Sequence, residues 1–272
     1  MEAVNREMDF VTTAVNRASD MLLFIASFDG VLAEYQSDPN HAHVTQARLA
    51  LLRLLQQVPG VVVGVISGRP MDDLQSRIAL GAEAYYIALH GLEIAGPQFV
   101  WTCGDATDPY RECMQNVAIR LEERVAGVAG VRLECKGPIV ALHTRETSPE
   151  DVVWSRFQLL SAAADLVNTD VVRGLRGHDV LELLPTVGCT RADAVRMVKR
   201  CVEQRHRRPV FTVYIGEDVA DDDALNAVAE DGVAAVVGRR RAASHHFDSP
   251  DGVESLVGEL IVARLRQSTP AG

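Results

Sequence analysis

The stretch Met21-Leu22-Leu23-Phe24-Ile25-Ala26-Ser27-Phe28-Asp29-Gly30 decides the fold. Its first six residues are apolar without the alternation of a half-exposed strand, the pattern of a strand buried on both faces in a parallel sheet. The run ends in Asp29-Gly30, a turn signal. Residues two apart on a strand share a face, so Ser27 and Asp29 are expected to project into the same space at the sheet's end. Downstream, Leu49, Leu51, Leu52, Leu54 and Leu55 predict a helix that stops at Pro59-Gly60. Val61 to Ile66 then predicts a second buried strand, ending in Ser67-Gly68-Arg69. Strand, helix and strand make one right-handed crossover unit.

Working outward, a helix from near Met71 leads to a weaker strand, Ala84 to Leu89, followed by His90-Gly91-Leu92-Glu93. The middle of the chain changes character. A helix from Tyr110 to Val125, strands Val131–Glu134 and Ile139–His143, a helix Val152–Ala164 and strands near Val171 and at Val180–Leu184 suggest a small α+β insert. After Pro185 the alternating pattern resumes, with helices Ala192–Glu203, Asp221–Ala229 and Val253–Arg264 around strands Val210–Ile215 and Val233–Val237. The fold class read from this order is α/β, a doubly wound parallel-sheet core interrupted by an α+β cap. The core is expected to comprise residues 21–104 and 185–272, and the cap residues 105–184. Such sheets place ligands beyond the carboxyl ends of their strands.

Ahead of the core, within residues 1–20, Val4, Met8, Val11, Val15 and Ala18 form one apolar stripe at helical spacing. The stripe packs on the body of the chain or offers a docking face to a protein partner. Over 272 residues, 37 acidic against 27 basic side chains give a formal charge of −10, which repels a phosphate backbone and argues against nucleic acid. A small phosphate ester is still admissible where a local pocket reverses the field. The five cysteines contain no CxxC pair, so neither a disulfide framework nor a zinc site is indicated and a reducing compartment fits. The first residues carry no apolar leader, and no run approaches the ~20 apolar residues of a membrane span. A cytoplasmic protein is expected.

Four clusters sit at strand ends or helix starts: Ser27-Phe28-Asp29-Gly30, Ser67-Gly68-Arg69, Thr190-Arg191-Ala192 and Gly216-Glu217-Asp218-Val219-Ala220-Asp221-Asp222-Asp223. The last holds five carboxylates within seven residues. Alone it reads as the acidic first turn of a helix, favoured by the helix dipole, with Asp221 as N-cap. In their joint order the clusters read as one site. Trp101 and Trp154 have no motif around them and are expected in the core or a hinge.

These motifs resemble those of the haloacid dehalogenase (HAD) phosphotransferases and, within them, the trehalose-6-phosphate phosphatases, over about Met21 to Leu265. That family carries Asp-x-Asp-Gly-Thr, Ser-Gly-Arg, Lys-Gly at a helix start, and Gly-Asp-Asp-x-Thr-Asp-Glu-Asp-Ala-Phe. The corresponding stretches here begin at Ser27, Ser67, Arg191 and Gly216. His90-Gly91-Leu92-Glu93 is similar to the subfamily's His-Gly-x-Glu, Glu134-Cys135-Lys136 to Glu-x-Lys, His143-Thr144-Arg145 to His-Tyr-Arg, and Leu181-Glu182-Leu183-Leu184-Pro185 to Leu-Glu-Leu-Arg-Pro.

The resemblance implies a HAD-like core and a Mg²⁺-assisted phosphatase acting on a sugar phosphate. Ser27 stands at the nucleophile position. Asp29 is implied as the acid and base, Ser67 as a donor to a phosphate oxygen, and Arg191 as the charge-neutralising cation. Asp29, Glu217 and Asp218 are implied as metal ligands. Gly68, Arg69, His90, Glu93, Glu134, Lys136, Arg145 and Glu182 are implied on the substrate side.

The departures are chemical. A serine hydroxyl is almost wholly protonated at neutral pH, so Ser27 needs a base before it can attack, and the metal loses a hard oxygen ligand. Glu217 for Asp pushes the ligand oxygens outward. Arg191 for Lys replaces a point charge with a planar fork. Turnover is therefore expected to be weak or absent. The alternatives are a non-catalytic sugar-phosphate-binding regulator, or a phosphatase for another sugar phosphate suggested by Thr144 and Leu184.

Overall fold

The structure, a computed structural model, describes Thr13 and residues 21–36, 38–238, 243 and 245–268. The stripe residues Val4, Met8, Val11, Val15 and Ala18 lie outside them.

In chain order the first elements are β1 (Met21–Ser27), α1 (Gln46–Gln57), β2 (Val61–Ile66), α2 (Met71–Arg77), β3 (Tyr85–Ala88), β4 (Glu93–Gly96) and β5 (Phe99–Thr102). Next come α3 (Gly104–Val125), β6 (Arg132–Cys135), β7 (Val140–His143), α4 (Pro149–Ala162), α5 (Ala164–Asn168), β8 (Val172–Gly177) and β9 (Val180–Pro185). The chain finishes with α6 (Arg191–His206), β10 (Val210–Gly216), α7 (Asp222–Ala229), β11 (Val233–Val237), β12 (His245–Phe247) and α8 (Pro250–Ser268). The described residues divide into two compact units. One runs up to Trp101 and resumes at Thr190; the other is Thr102–Cys189.

The first unit is built on an eight-stranded sheet of order β12-β11-β10-β1-β2-β3-β4-β5. All seven residues of β1 are buried, because it is central and parallel to both β10 and β2. From β1 the chain winds outward through β2 and β3, then returns to the other flank as β10, so the winding reverses at the carboxyl end of β1. That is where an open α/β sheet leaves a crevice. Leu22, Phe24 and Ala26 join Val63, Val65, Val213, Ile215 and Leu52 in one fully buried cluster along β1. Each such large apolar side chain contributes ~1.5–3 kcal/mol.

The second unit is a four-stranded antiparallel sheet, β6-β7-β9-β8. Leu142, Leu181 and Leu183 pack with Met114, Val117 and Leu121 of α3 and Leu159 of α4. The opposite face carries Glu134, His143 and Glu182.

Several elements differ from expectation. Helix α3 begins at Gly104 rather than Tyr110 and holds Pro109 as its sixth residue, where the missing N–H removes one intrahelical hydrogen bond. Strand β4 is antiparallel to β3, and with β5 and β12 it went unforeseen, because three or four residues are too few to display a period. Trp154 is 41% exposed, on a face of α4 shared with Val153, Phe157 and Leu160, rather than in the core. Helical periodicity cannot show which of two apolar faces is turned inward.

Candidate functional site

The expected core residues meet beyond the carboxyl ends of β1, β2 and β10. Ser27 ends β1, and Gly30 after it has φ +76°; a Cβ there would lie 2.7 Å from the Tyr35 ring. Only glycine suits both the left-handed backbone and the close approach. The turn therefore folds back and carries Asp29 beside Ser67 and Arg69. Arg191 is the first residue of α6, whose start is secured by a capping box between Thr190 and Asp193.

Asp221 is the hub of the site. It is 1% exposed. Its Oδ1 accepts from Ser27 Oγ at 2.5 Å, from the Tyr214 hydroxyl at 2.6 Å and from Arg191 Nη1. Its Oδ2 accepts from the backbone N–H groups of Glu217 at 2.9 Å and Asp218 at 3.1 Å. The expected N-cap role is not seen, since its side chain caps no N–H of α7. Burial pushes the Asp221 carboxyl up, but the Arg191 charge and the Ser27, Tyr214 and backbone donors outweigh it and hold the group below the usual carboxylate range. Burial and the nearby Asp221 charge push the Tyr214 hydroxyl well up. Burial works against the Arg191 charge, but Asp221 more than offsets it.

Arg191 uses its whole fork. Nη1 reaches Ser27 Oγ at 3.2 Å as well as Asp221, while Nε and Nη2 each lie 3.2 Å from His90 Nδ1. A second network lies beside the first. Both Asp29 oxygens accept from Arg69, at 3.0 Å from Nε and 2.8 Å from Nη2, and Ser67 Oγ donates to Asp29 Oδ2 at 3.3 Å. Asp73 holds the same Arg69 through Nη1 at 2.9 Å. Desolvation opposes the charge on Arg69, yet its two carboxylate partners raise its pKa.

In this arrangement both carboxylates nearest Ser27 and Ser67 are already engaged. Ser27 gives its proton to a carboxylate already saturated with donors, and an Asp with a lowered pKa is a weak base. Asp29 would have to leave a bidentate guanidinium partner before meeting a leaving oxygen.

Mg²⁺ demands near-octahedral oxygen ligands. Of the expected ligands, Asp29 is forked by Arg69, Glu217 Oε2 accepts from the Tyr35 hydroxyl at 2.7 Å, and Asp218 Oδ1 accepts from the Val219 N–H at 2.6 Å. Residue 27 offers a hydroxyl aimed at Asp221. Among the described residues no group of three His, Cys, Asp or Glu side chains is arranged to hold a metal. The donor set is that of an ion-pair network and does not fit a Mg²⁺ centre.

Glu93 opens β4 opposite Ala88, and no described hydrogen bond ties it to these networks. Asp221, Tyr214, Tyr35 and Asp73 complete the site and were not foreseen in these roles. A polar Tyr214 within the apolar run of β10 is the one local signal.

In the second unit, Glu134 and Glu182 both stand opposite Ala141, on β6 and β9. Lys136, two residues from Glu134, reaches Glu182 at 2.8 Å and Glu134 at 4.0 Å. His143 Nε2 lies 2.8 Å from Glu134. Burial raises the Glu134 carboxyl, but His143 and Lys136 bring it below its ordinary value. Ala141 leaves a low floor between two carboxylates and an ammonium, a set that suits sugar hydroxyls. Arg145 instead pairs with Asp179, in the turn between β8 and β9, at 3.4 Å.

An α/β sheet wound about β1, with these four clusters at its carboxyl edge and an inserted α+β unit, defines a HAD-type phosphatase fold. The C-terminal domain of a C. albicans trehalose-6-phosphate phosphatase shares it at a TM-score of 0.79 and 20% identity, over 96% of this chain and 97% of that one. The trehalose-phosphatase family model matches residues 25–250, and the chain belongs to that family. A trehalose-phosphate phosphatase of Mycobacterium marinum is 30% identical over 240 residues, covering 86% of this chain and 60% of the relative. That of Mycobacterium tuberculosis is 28% identical over 248 residues, covering 89% and 61%. The chain thus spans about three-fifths of the length of these curated relatives. Among the described residues no helix is long and apolar enough to cross a membrane.

Proposed function

We propose that this chain binds a disaccharide phosphate of the trehalose 6-phosphate type and hydrolyses it slowly or not at all. The observation that carries this is the Ser27–Asp221–Arg191 network. The nucleophile position holds a protonated hydroxyl, its nearest base is quenched by a buried cation, and the polar face of the second unit keeps its carboxylates and lysine. Mg²⁺ is expected to bind weakly, because Arg69 forks both oxygens of Asp29 and one oxygen each of Glu217 and Asp218 already accepts a hydrogen bond. Thr144 and Leu184, which suggest a different sugar, are 3% and 2% exposed, and the Thr144 hydroxyl donates to the Asp179 carbonyl. A cytoplasmic location rests on the five cysteines, all free.

The test is phosphate release from trehalose 6-phosphate with and without Mg²⁺, alongside calorimetry with the same compound. Binding without comparable turnover is expected. Turnover at the rate of an ordinary phosphatase would overturn the inactivity, and absence of any binding would overturn the ligand.

A further inference from the structure

We infer that His90 is a positioning residue for Arg191, held as the neutral tautomer with its proton on Nε2. The argument is one of donors and acceptors. Guanidinium nitrogens only donate. Two of them, Nε and Nη2 of Arg191, converge on His90 Nδ1 at 3.2 Å each, so Nδ1 must present its lone pair. The imidazole proton is therefore on Nε2, and an imidazolium cannot occupy this place. His90 is 6% exposed and Arg191 7%, so the contact is shielded from water.

The backbone is shaped for it. His90 has φ +57°, a left-handed conformation that a residue with a Cβ adopts at a cost. Its N–H donates to the Ser67 carbonyl at 3.0 Å, tying it to the Ser67-Gly68-Arg69 turn. The ring lies against Gly68, where a Cβ would come within 2.4 Å of Nε2. The middle glycine of that turn is thus the seat of an imidazole.

The consequence lies at the other end of Arg191. With Nε and Nη2 committed to His90, the guanidinium plane is set and Nη1 is aimed at Ser27 and Asp221. A lysine has a single nitrogen and no fork to anchor in this way. His90 thereby turns a flexible side chain into a fixed cation at the nucleophile position. The functional half of this inference rests on the binding reading above; the tautomer does not.

Two measurements on the full chain test it. Long-range ¹H–¹⁵N NMR of the imidazoles should show an unprotonated Nδ1 and a protonated Nε2 for His90, assigned by its loss in His90→Asn. A protonated Nδ1 or a doubly protonated ring at neutral pH overturns the inference, whether or not any ligand binds. Calorimetry with trehalose 6-phosphate and with inorganic phosphate then compares His90→Asn, which keeps an acceptor near Nδ1, with His90→Leu, which has none. His90→Leu should weaken binding roughly tenfold or more, as for a lost hydrogen bond to a charged group, and His90→Asn should recover most of it. Equal affinities in the two variants overturn the positioning role. If the wild-type chain binds neither compound, the proposed ligand is wrong, and the NMR result alone decides the tautomer.

Discussion

Ser27 Oγ donates a 2.5 Å hydrogen bond to Asp221 Oδ1, joining residues 194 apart in sequence. In this pair the hydroxyl that the proposed function puts at the nucleophile position is a donor to a buried, charge-compensated carboxylate.

A carboxylate placed at residue 27 should not by itself raise turnover. Ser27 is 4% exposed and Asp221 1% exposed, so Ser27→Asp places two carboxylates around the single Arg191 cation, and one of them must stay protonated. The variant should melt below the wild type and release no more phosphate from trehalose 6-phosphate. Adding Arg191→Lys and Glu217→Asp, with Mg²⁺ supplied, should raise the rate. Robust turnover by Ser27→Asp alone would show that the network is not what silences the site.

Removing the charge at Asp221 strands Arg191. Asp221→Asn should cost about 3–5 kcal/mol, the range for breaking a buried ion pair. Ser27→Ala leaves Asp221 with its four other donors and should cost only about 1 kcal/mol. Urea unfolding measures both, and a larger loss for Ser27→Ala would move the hub from Asp221 to Ser27.

Acid should weaken the fold through three named carboxylates. Burial raises Asp221, Asp73 and Glu134. Arg191 outweighs it at the first, Arg77 and Arg69 at the second, and His143 with Lys136 at the third. Each is therefore lowered in the folded state. The stability they confer is fully present above the unfolded carboxylate value of about 4, and is lost as pH falls through the lower folded values. Urea midpoints should stay level from neutrality down to that point and then drop. Asp221→Asn should flatten the drop, and an unchanged slope would remove Asp221 from the account.

Divalent metal should leave the thermal midpoint almost unmoved. A ligand that binds only the folded state raises stability once its concentration exceeds its Kd. With Asp29, Glu217 and Asp218 otherwise engaged, millimolar Mg²⁺ and chelator should give the same melting curve. A rise of several degrees would show that these carboxylates leave their partners for the ion.

Lys136 holds Glu134 and Glu182 on one face of the second unit. Lys136→Met should reduce trehalose 6-phosphate affinity roughly tenfold, because two carboxylates are left without a shared donor. Calorimetry decides this, and an unchanged affinity would place the sugar elsewhere.

What the sequence determined by itself is local. An unbroken apolar run from Met21 to Ala26 that ends in a turn signal reads as a strand buried on both faces, and Gly30 marks where the backbone turns. From such features the alternation of strands and helices along the core, the interrupting α+β unit and the placing of Ser27, Ser67, Arg191 and Glu217 at element ends were legible, whereas β4, β5 and β12 were not. The tertiary structure decided the partners. The sequence showed five carboxylates within seven residues but not which one is buried, and Asp221 reads there as an N-cap. It becomes a hub because β10, adjacent to β1, brings Tyr214 and the Asp221 turn to Ser27, while α6, which follows the inserted unit in sequence, supplies Arg191. A side-chain hydrogen bond between residues 194 apart leaves no periodicity and no spacing to read. Its partners are set by the register of a parallel sheet, and only folding brings them together.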